Sequence, residues 1–151
     1  NTPADLQRWR AQFLVEKIDP IILPAAQQLI AHHRQQGDTL LIITATNSFI
    51  TAPIAQKLGI PHLIATEAEI IDGLYTGNVA GTPSFQHGKV ERLQDWLNTE
   101  NQTLTGSYFY SDSHNDLPLL NMVEHPVAVD SDPKLLATAK QHGWQTISLR
   151  T

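Results

Sequence analysis

Tyr108-Phe109-Tyr110-Ser111-Asp112-Ser113-His114-Asn115-Asp116-Leu117-Pro118-Leu119-Leu120 is the stretch that decides how this chain folds. Ser107 to Tyr110 is aromatic and strand-like. Asp116 followed by Leu117, Pro118, Leu119, Leu120 and Met122 reads as a helix start, capped by Asp116 with Pro in its first turn. Asp112 and Asp116 therefore fall in a polar turn at a strand's carboxyl end, where open α/β sheets bind their ligands. Two carboxylates so close in a turn suit a hard cation. An EF-hand is excluded by spacing. With Asp112 as first ligand, Leu117 stands where Gly is needed and Val123 where a bidentate Glu is needed. Taken alone, the two aspartates also fit a turn cap and a helix cap, so the rest of the chain has to decide.

Working outward, strands and helices alternate. Apolar spacing at Leu6, Trp9, Phe13 and Leu14 predicts a helix over Pro3 to Ile18, and a second helix opens at Pro24 and stops at Gly37. Thr39 to Thr44 reads as a short interior strand, apolar on both faces. Ser48 to Leu58 is helical and ends at Gly59, with Pro53 in its first turn or marking a late start. His62 to Ala65 is a strand, and Ile70 to Val79 is a hairpin about Asp72-Gly73. A helix over Lys89 to Leu97 follows. After the Asp112 turn come a strand at Val127 to Val129, a helix opened by Asp132-Pro133 and closed by Gly143, and a strand at Gln145 to Leu149. This order predicts an α/β fold of right-handed βαβ units, with a mainly parallel sheet covered on both faces.

The 151 residues, 41% hydrophobic and without a linker-like break, are expected to form one domain. A net charge of −5 with only 10 Lys plus Arg and no basic cluster argues against nucleic acid as the partner and for a small molecule. No cysteine is present, which removes disulfides, thiolate metal sites and cysteine nucleophiles. The adjoining His32 and His33 point about 100° apart on a helix and read as solvated surface. No apolar run could cross a bilayer, and residues 1–20 lack a signal-peptide layout, so a cytoplasmic location without membrane attachment is expected.

Two further positions join the aspartates. Thr44 ends a strand at its carboxyl end, where its hydroxyl could donate to an anion. Lys89 follows Gly88 at a helix start, an unfavourable place for a cation unless an anion lies nearby. A hydroxyl and a lysine can hold phosphate oxygens while one or two carboxylates hold Mg²⁺, whose other ligands are water and phosphate.

These motifs, Ile42-Ile43-Thr44-Ala45, Gly88-Lys89 and Ser111-Asp112-Ser-His-Asn-Asp116-Leu-Pro-Leu-Leu120, resemble motifs two, three and four of the haloacid dehalogenase superfamily, in order. The likeness is greatest to its phosphoserine-phosphatase-like subfamily, IB. Ala65-Thr-Glu67 leading into Asp72-Gly-Leu-Tyr-Thr-Gly77, and His125-Pro-Val-Ala-Val-Asp130 leading into Gly143-Trp144, resemble it too. The resemblance implies a Rossmannoid three-layer sandwich with a helical cap. It also implies a Mg²⁺-dependent phosphomonoesterase acting on a small phosphorylated metabolite through an aspartyl-phosphate. On it, Asp112 and Asp116 are the metal residues and Asp112 the direct ligand. Lys89 and Thr44 serve catalysis, Thr44, Ala45, Thr46, Lys89 and Asn115 bind substrate, and Asn47 and His114 are candidates near the substrate.

The family's nucleophile belongs to an Asp-x-Asp-x-Thr motif on a strand lying between those of Thr44 and Asp112, ahead of the cap. No Asp-x-Asp precedes Thr44 here; Asp5 and Asp19 stand alone. Two expectations follow. In the first, the chain is part of a longer enzyme, residues 1–20 being the tail of the cap and 21–151 a core without its first strand. In the second, it is a catalytically inactive module that keeps an anion pocket. The retention of Lys89, Asp112 and Asp116 together favours the first, since charges kept close have an electrostatic cost.

Overall fold

Proline and glycine set most helix limits in the computed structural model, which describes residues 2–150. Helix α1, Pro3–Phe13, has Pro3 in its first turn and a reciprocal cap between Thr2 and Asp5, then runs into a π-helical turn at Leu14–Ile18. Helix α2 is Pro24–Gln35 and α3 is Ser48–Leu58. Gly59 ends α3 at φ 68°, a left-handed conformation, and a Cβ there would meet Arg34 Nη2 at 2.9 Å. Pro53 lies inside α3, so the Phe49 carbonyl one turn back has no helical donor. Arg10 supplies one: its Nη1 donates to Phe49 O at 3.3 Å, and its guanidinium sits 4.5 Å over the Phe49 ring.

Strand β1, Leu41–Asn47, pairs in parallel with β2, His62–Ile71, through Leu41 with His62 and Ile43 with Ile64. β2 runs on past the expected Ala65 to Ile71 and pairs antiparallel with β3, Leu74–Ala80. Asp72 and Gly73 join them, both at positive φ (52° and 78°), as a two-residue hairpin turn requires. Helix α4 is His87–Thr99. Strands β4, Tyr108–Ser111, β5, His125–Val129, and β6, Gln145–Ile147, form a second, wholly parallel sheet in that order, with helix α5, Leu117–Leu120, after β4 and helix α6, Pro133–His142, after β5. In this sheet α5, β5 and α6 share a core of Leu120, Ala128, Leu135 and Ala139, against which Phe109, Leu117 and Trp144 pack.

The fold is α/β with parallel strands predominating, as expected, but four details depart from the sequence reading. The strands fall into two three-stranded sheets instead of one, and the chain divides into compact units Asn1–Ser84 and Phe85–Thr151. β1 is an edge strand and only half-buried, although Leu-Leu-Ile-Ile reads as interior. α5 is a single short turn after a 3₁₀ turn at His114–Asp116, and Asp116 makes no side-chain cap because its carboxylate is used elsewhere. His33 is buried, with Nδ1 2.7 Å from Asp38 Oδ2, whereas the helical angle alone put it on the surface.

Ser84 is fully buried, its N–H donates to Thr66 Oγ1 at 3.0 Å, and its own hydroxyl has no partner among the described residues. An orphaned buried hydroxyl costs roughly 1–3 kcal/mol. Ser84→Ala is therefore expected to leave stability unchanged or raise it by about 1 kcal/mol in urea unfolding. A clear loss would show that the hydroxyl is bonded in solution. Among the described residues no helix is long and apolar enough to cross a membrane.

Candidate active site

Parallel pairing of Tyr108 with His125 and of Ser111 with Ala128 brings the carboxyl ends of β4 and β5 side by side. The turn after β4 carries Asp112 to Asp116, and the turn after β5 carries Asp132. Helix α4 brings Lys89 to the same place. Lys89 is only 7% exposed, and its Nζ donates to Asp116 Oδ1 at 2.6 Å. The other carboxylate oxygen of Asp116 accepts the Ser111 hydroxyl at 2.5 Å. Asp116 is itself 8% exposed, so this is a buried, hydrogen-bonded ion pair with both carboxylate oxygens occupied. The cation at a helix start, anomalous in the sequence, is explained by this anion.

Asp112 is the opposite case. It is exposed, and among the described residues its carboxylate has no hydrogen bond or ion pair, while its backbone O accepts the Asp132 N–H at 3.0 Å. The turn is otherwise tied to itself and to α6. Ser113 N donates to Ser111 Oγ at 3.2 Å, Asn115 N to Ser113 Oγ at 3.1 Å, and Gln86 Nε2 to Asn115 Oδ1 at 3.4 Å. Asp132 Oδ2 accepts from His114 N at 2.8 Å and stands 3.0 Å from His114 Nδ1. The Leu135 and His114 backbone N–H groups, with the His114 ring adding less, hold the Asp132 carboxyl down at about 2.

Mg²⁺ fits these residues in a limited way. No group of three or more His, Cys, Asp or Glu suited to a metal occurs among the described residues. What is present is one hard, unpartnered carboxylate, on Asp112, and Mg²⁺ needs only one or two such ligands when water and phosphate supply the rest.

In the other unit, the regular β1–β2 ladder stops at Ile43 and resumes at Asn47 opposite Thr66, which leaves 44–46 as an irregular bulge. Thr44 Oγ1 accepts the Thr46 N–H at 3.1 Å, which leaves its own O–H available as a donor. Ala45 and Thr46 are exposed. Asn47 caps α3 through the Ile50 N–H at 3.1 Å, a structural role. The structure thus brings Lys89 of α4 to the turn that carries Asp112 and Asp116 in their unit and sets Thr44, Ala45 and Thr46 on the bulge of theirs. Sequence reasoning missed the part of Ser111. Strand alternation was the available signal, because it turns Ser111 away from Asp112 and toward the interior.

A model of the haloacid dehalogenase-like hydrolase family matches residues 2–121. A histidinol-phosphatase of Neisseria meningitidis is 43% identical over 150 residues, covering 97% of this chain and 68% of that protein. Phosphoserine phosphatase SerB1 of Mycobacterium tuberculosis is 33% identical over 147 residues, covering 97% of this chain and 48% of its own length. The chain thus spans about half of that mycobacterial relative. A crystal structure of a protein of unknown function from Bordetella pertussis Tohama I superposes with a TM-score of 0.95 at 45% identity, over 99% of this chain and 68% of that one.

Proposed function

The chain belongs to the haloacid dehalogenase-like hydrolase family, and from that premise we propose that the protein hydrolyses a small phosphomonoester with Mg²⁺ and an aspartyl-phosphate intermediate. The observation that carries the reading is the division of labour between two aspartates on one turn. Asp116 is buried and committed to Lys89 and Ser111, whereas Asp112 is exposed and uncommitted. Bound at Asp112, the metal would neutralise phosphoryl charge. Lys89, held by Asp116, presents a fixed ammonium to phosphoryl oxygens, and the Thr44 hydroxyl is assigned to phosphate on the family resemblance of its motif alone. Asn115 and the exposed Ala45 and Thr46 are assigned to the substrate side.

The names of the relatives put histidinol phosphate and phosphoserine first among candidate substrates. The test is a screen of phosphorylated metabolites with the protein that carries this chain, beside its Asp112→Asn variant. Mg²⁺-dependent phosphate release lost in the variant supports the reading, and release indifferent to Mg²⁺ overturns it.

Residues 1–151 carry no Asp-x-Asp ahead of Thr44, where the family places its phosphoryl acceptor, and lysine with a metal only stabilises charge. We expect them to show no turnover of p-nitrophenyl phosphate; turnover abolished by Asp112→Ala would refute this. We further propose that residues 1–20 are the tail of a helical cap and 21–151 a core completed by one more strand. In support, β1 and β4 each have a paired strand on one side only among the described residues. The inactive-module reading has the missing Asp-x-Asp in its favour. Against it, the Lys89–Asp116 pair is kept in burial, at a desolvation cost of several kcal/mol. Whether the encoded protein carries Asp-x-Asp ahead of Asn1 separates the two.

A further inference from the structure

A helix N-cap needs one side-chain oxygen. Asp132 provides it with Oδ1, which accepts the Leu135 N–H at 2.7 Å and starts α6. Its backbone O accepts the Leu136 N–H within the helix, while its second carboxylate oxygen and its backbone N–H both reach the Asp112 turn. Oδ2 takes the His114 N–H at 2.8 Å and lies 3.0 Å from the His114 ring nitrogen, and the Asp132 N–H donates to Asp112 O at 3.0 Å. None of these bonds is required for capping. They pin the backbone on either side of Ser113, while Ser111 and Lys89 pin the far end of the turn through Asp116.

We propose that Asp132 is a positioning residue for divalent-cation binding: it clamps the 112–114 backbone so that the Asp112 carboxylate is already oriented when the metal arrives. The inference rests on the assignment of Asp112 as metal ligand. Its physical content is preorganisation. A carboxylate on a mobile turn has to be ordered on binding, whereas one on a turn fixed by three bonds from a neighbouring helix start does not. Outer partners of this kind change metal affinity by about 10–100-fold when removed.

The experiment is calorimetric titration of the full chain with Mg²⁺ alone, at a temperature where circular dichroism shows every variant folded, with metal-free melting temperatures measured alongside. Asp132→Asn keeps one oxygen for the Leu135 cap but has an NH₂ where His114 N–H needs an acceptor. Asp132→Ser keeps a capping hydroxyl on a shorter side chain. Both are expected to bind Mg²⁺ about 10-fold more weakly, with metal-free melting close to that of the parent. His114→Ala retains the backbone N–H and is expected to bind within about 3-fold of the parent, since it loses only the ring contact. Asp112→Asn tells the two levels of the argument apart. If it binds Mg²⁺ as well as the parent, the metal assignment fails and the proposal falls with it. If it binds weakly while Asp132→Asn and Asp132→Ser bind normally, the assignment stands and the clamp is refuted. Affinity lost in Asp132→Asn and Asp132→Ser only together with metal-free melting temperature reduces Asp132 to a helix cap and also refutes the clamp.

Discussion

Lys89→Ala is expected to lower kcat/KM by on the order of 10²-fold or more and, in the same variant, to lower the melting temperature. The activity loss is expected because, on the proposed function, the variant removes a fixed cation where phosphoryl charge would develop. The stability loss follows from burial. A lysine at the start of a helix looks dispensable to packing, but this one is 7% exposed and bonded at 2.6 Å to an Asp116 that is 8% exposed. Removing one partner of a buried pair leaves the other charge unpaired and costs about 3–5 kcal/mol, a shift on the order of 10 °C for a chain of this size. A fall in both quantities therefore does not distinguish a chemical from a structural role. The double variant Lys89→Met with Asp116→Asn does, because both charges leave together and the Ser111 hydroxyl keeps a side-chain partner. It should melt near the parent temperature while activity stays at the level of Lys89→Ala. Activity restored along with stability would make Lys89 a structural residue only.

Asp112→Asn and Asp116→Asn should separate in the opposite sense. Asp112 is exposed and its carboxylate has no partner in the described residues, so Asp112→Asn should barely change the melting temperature yet weaken Mg²⁺ by about 10²-fold or more, a direct ligand counting for at least as much as an outer one. Asp116→Asn should melt earlier, since Lys89 keeps a buried charge without its counter-ion, and should weaken Mg²⁺ only about 10-fold. Magnesium dependence of activity and thermal melting, measured on both variants, check this. Equal loss of Mg²⁺ affinity would make both aspartates direct ligands, and no loss in either would remove the metal from this turn.

Much of the site was legible from residue types in order. Gly88-Lys89 at a helix start and Asp112 to Asp116 in a turn needed only local pattern and spacing, as did helix limits set by Pro24, Gly59, Asp132-Pro133 and Gly143, whereas Thr44, expected at a strand end, lies within β1, which runs on to Asn47. The Asp72-Gly73 hairpin was equally local, because two consecutive positive φ values are a demand on the residues themselves.

What only the tertiary structure decided is which partner each polar group takes. Asp116 read as a helix cap and instead neutralises Lys89, 27 residues back in the chain; Asp132 read as a cap and also holds His114, 18 residues away. Nothing in either neighbourhood encodes these pairings, because they follow from the parallel register that sets the ends of β4 and β5 together and from the docking of α4 beside them. Burial has the same origin. Lys89 carries a helix-surface signal in sequence and is buried against Asp116, 27 residues on in the chain, whereas Leu-Leu-Ile-Ile carries an interior signal and stands on a sheet edge. Local sequence determined the elements and the chemistry each could carry, since backbone preferences act over a few residues. Packing between distant elements determined which charge was buried, which stayed open to a ligand, and hence which of two aspartates is free to hold a metal.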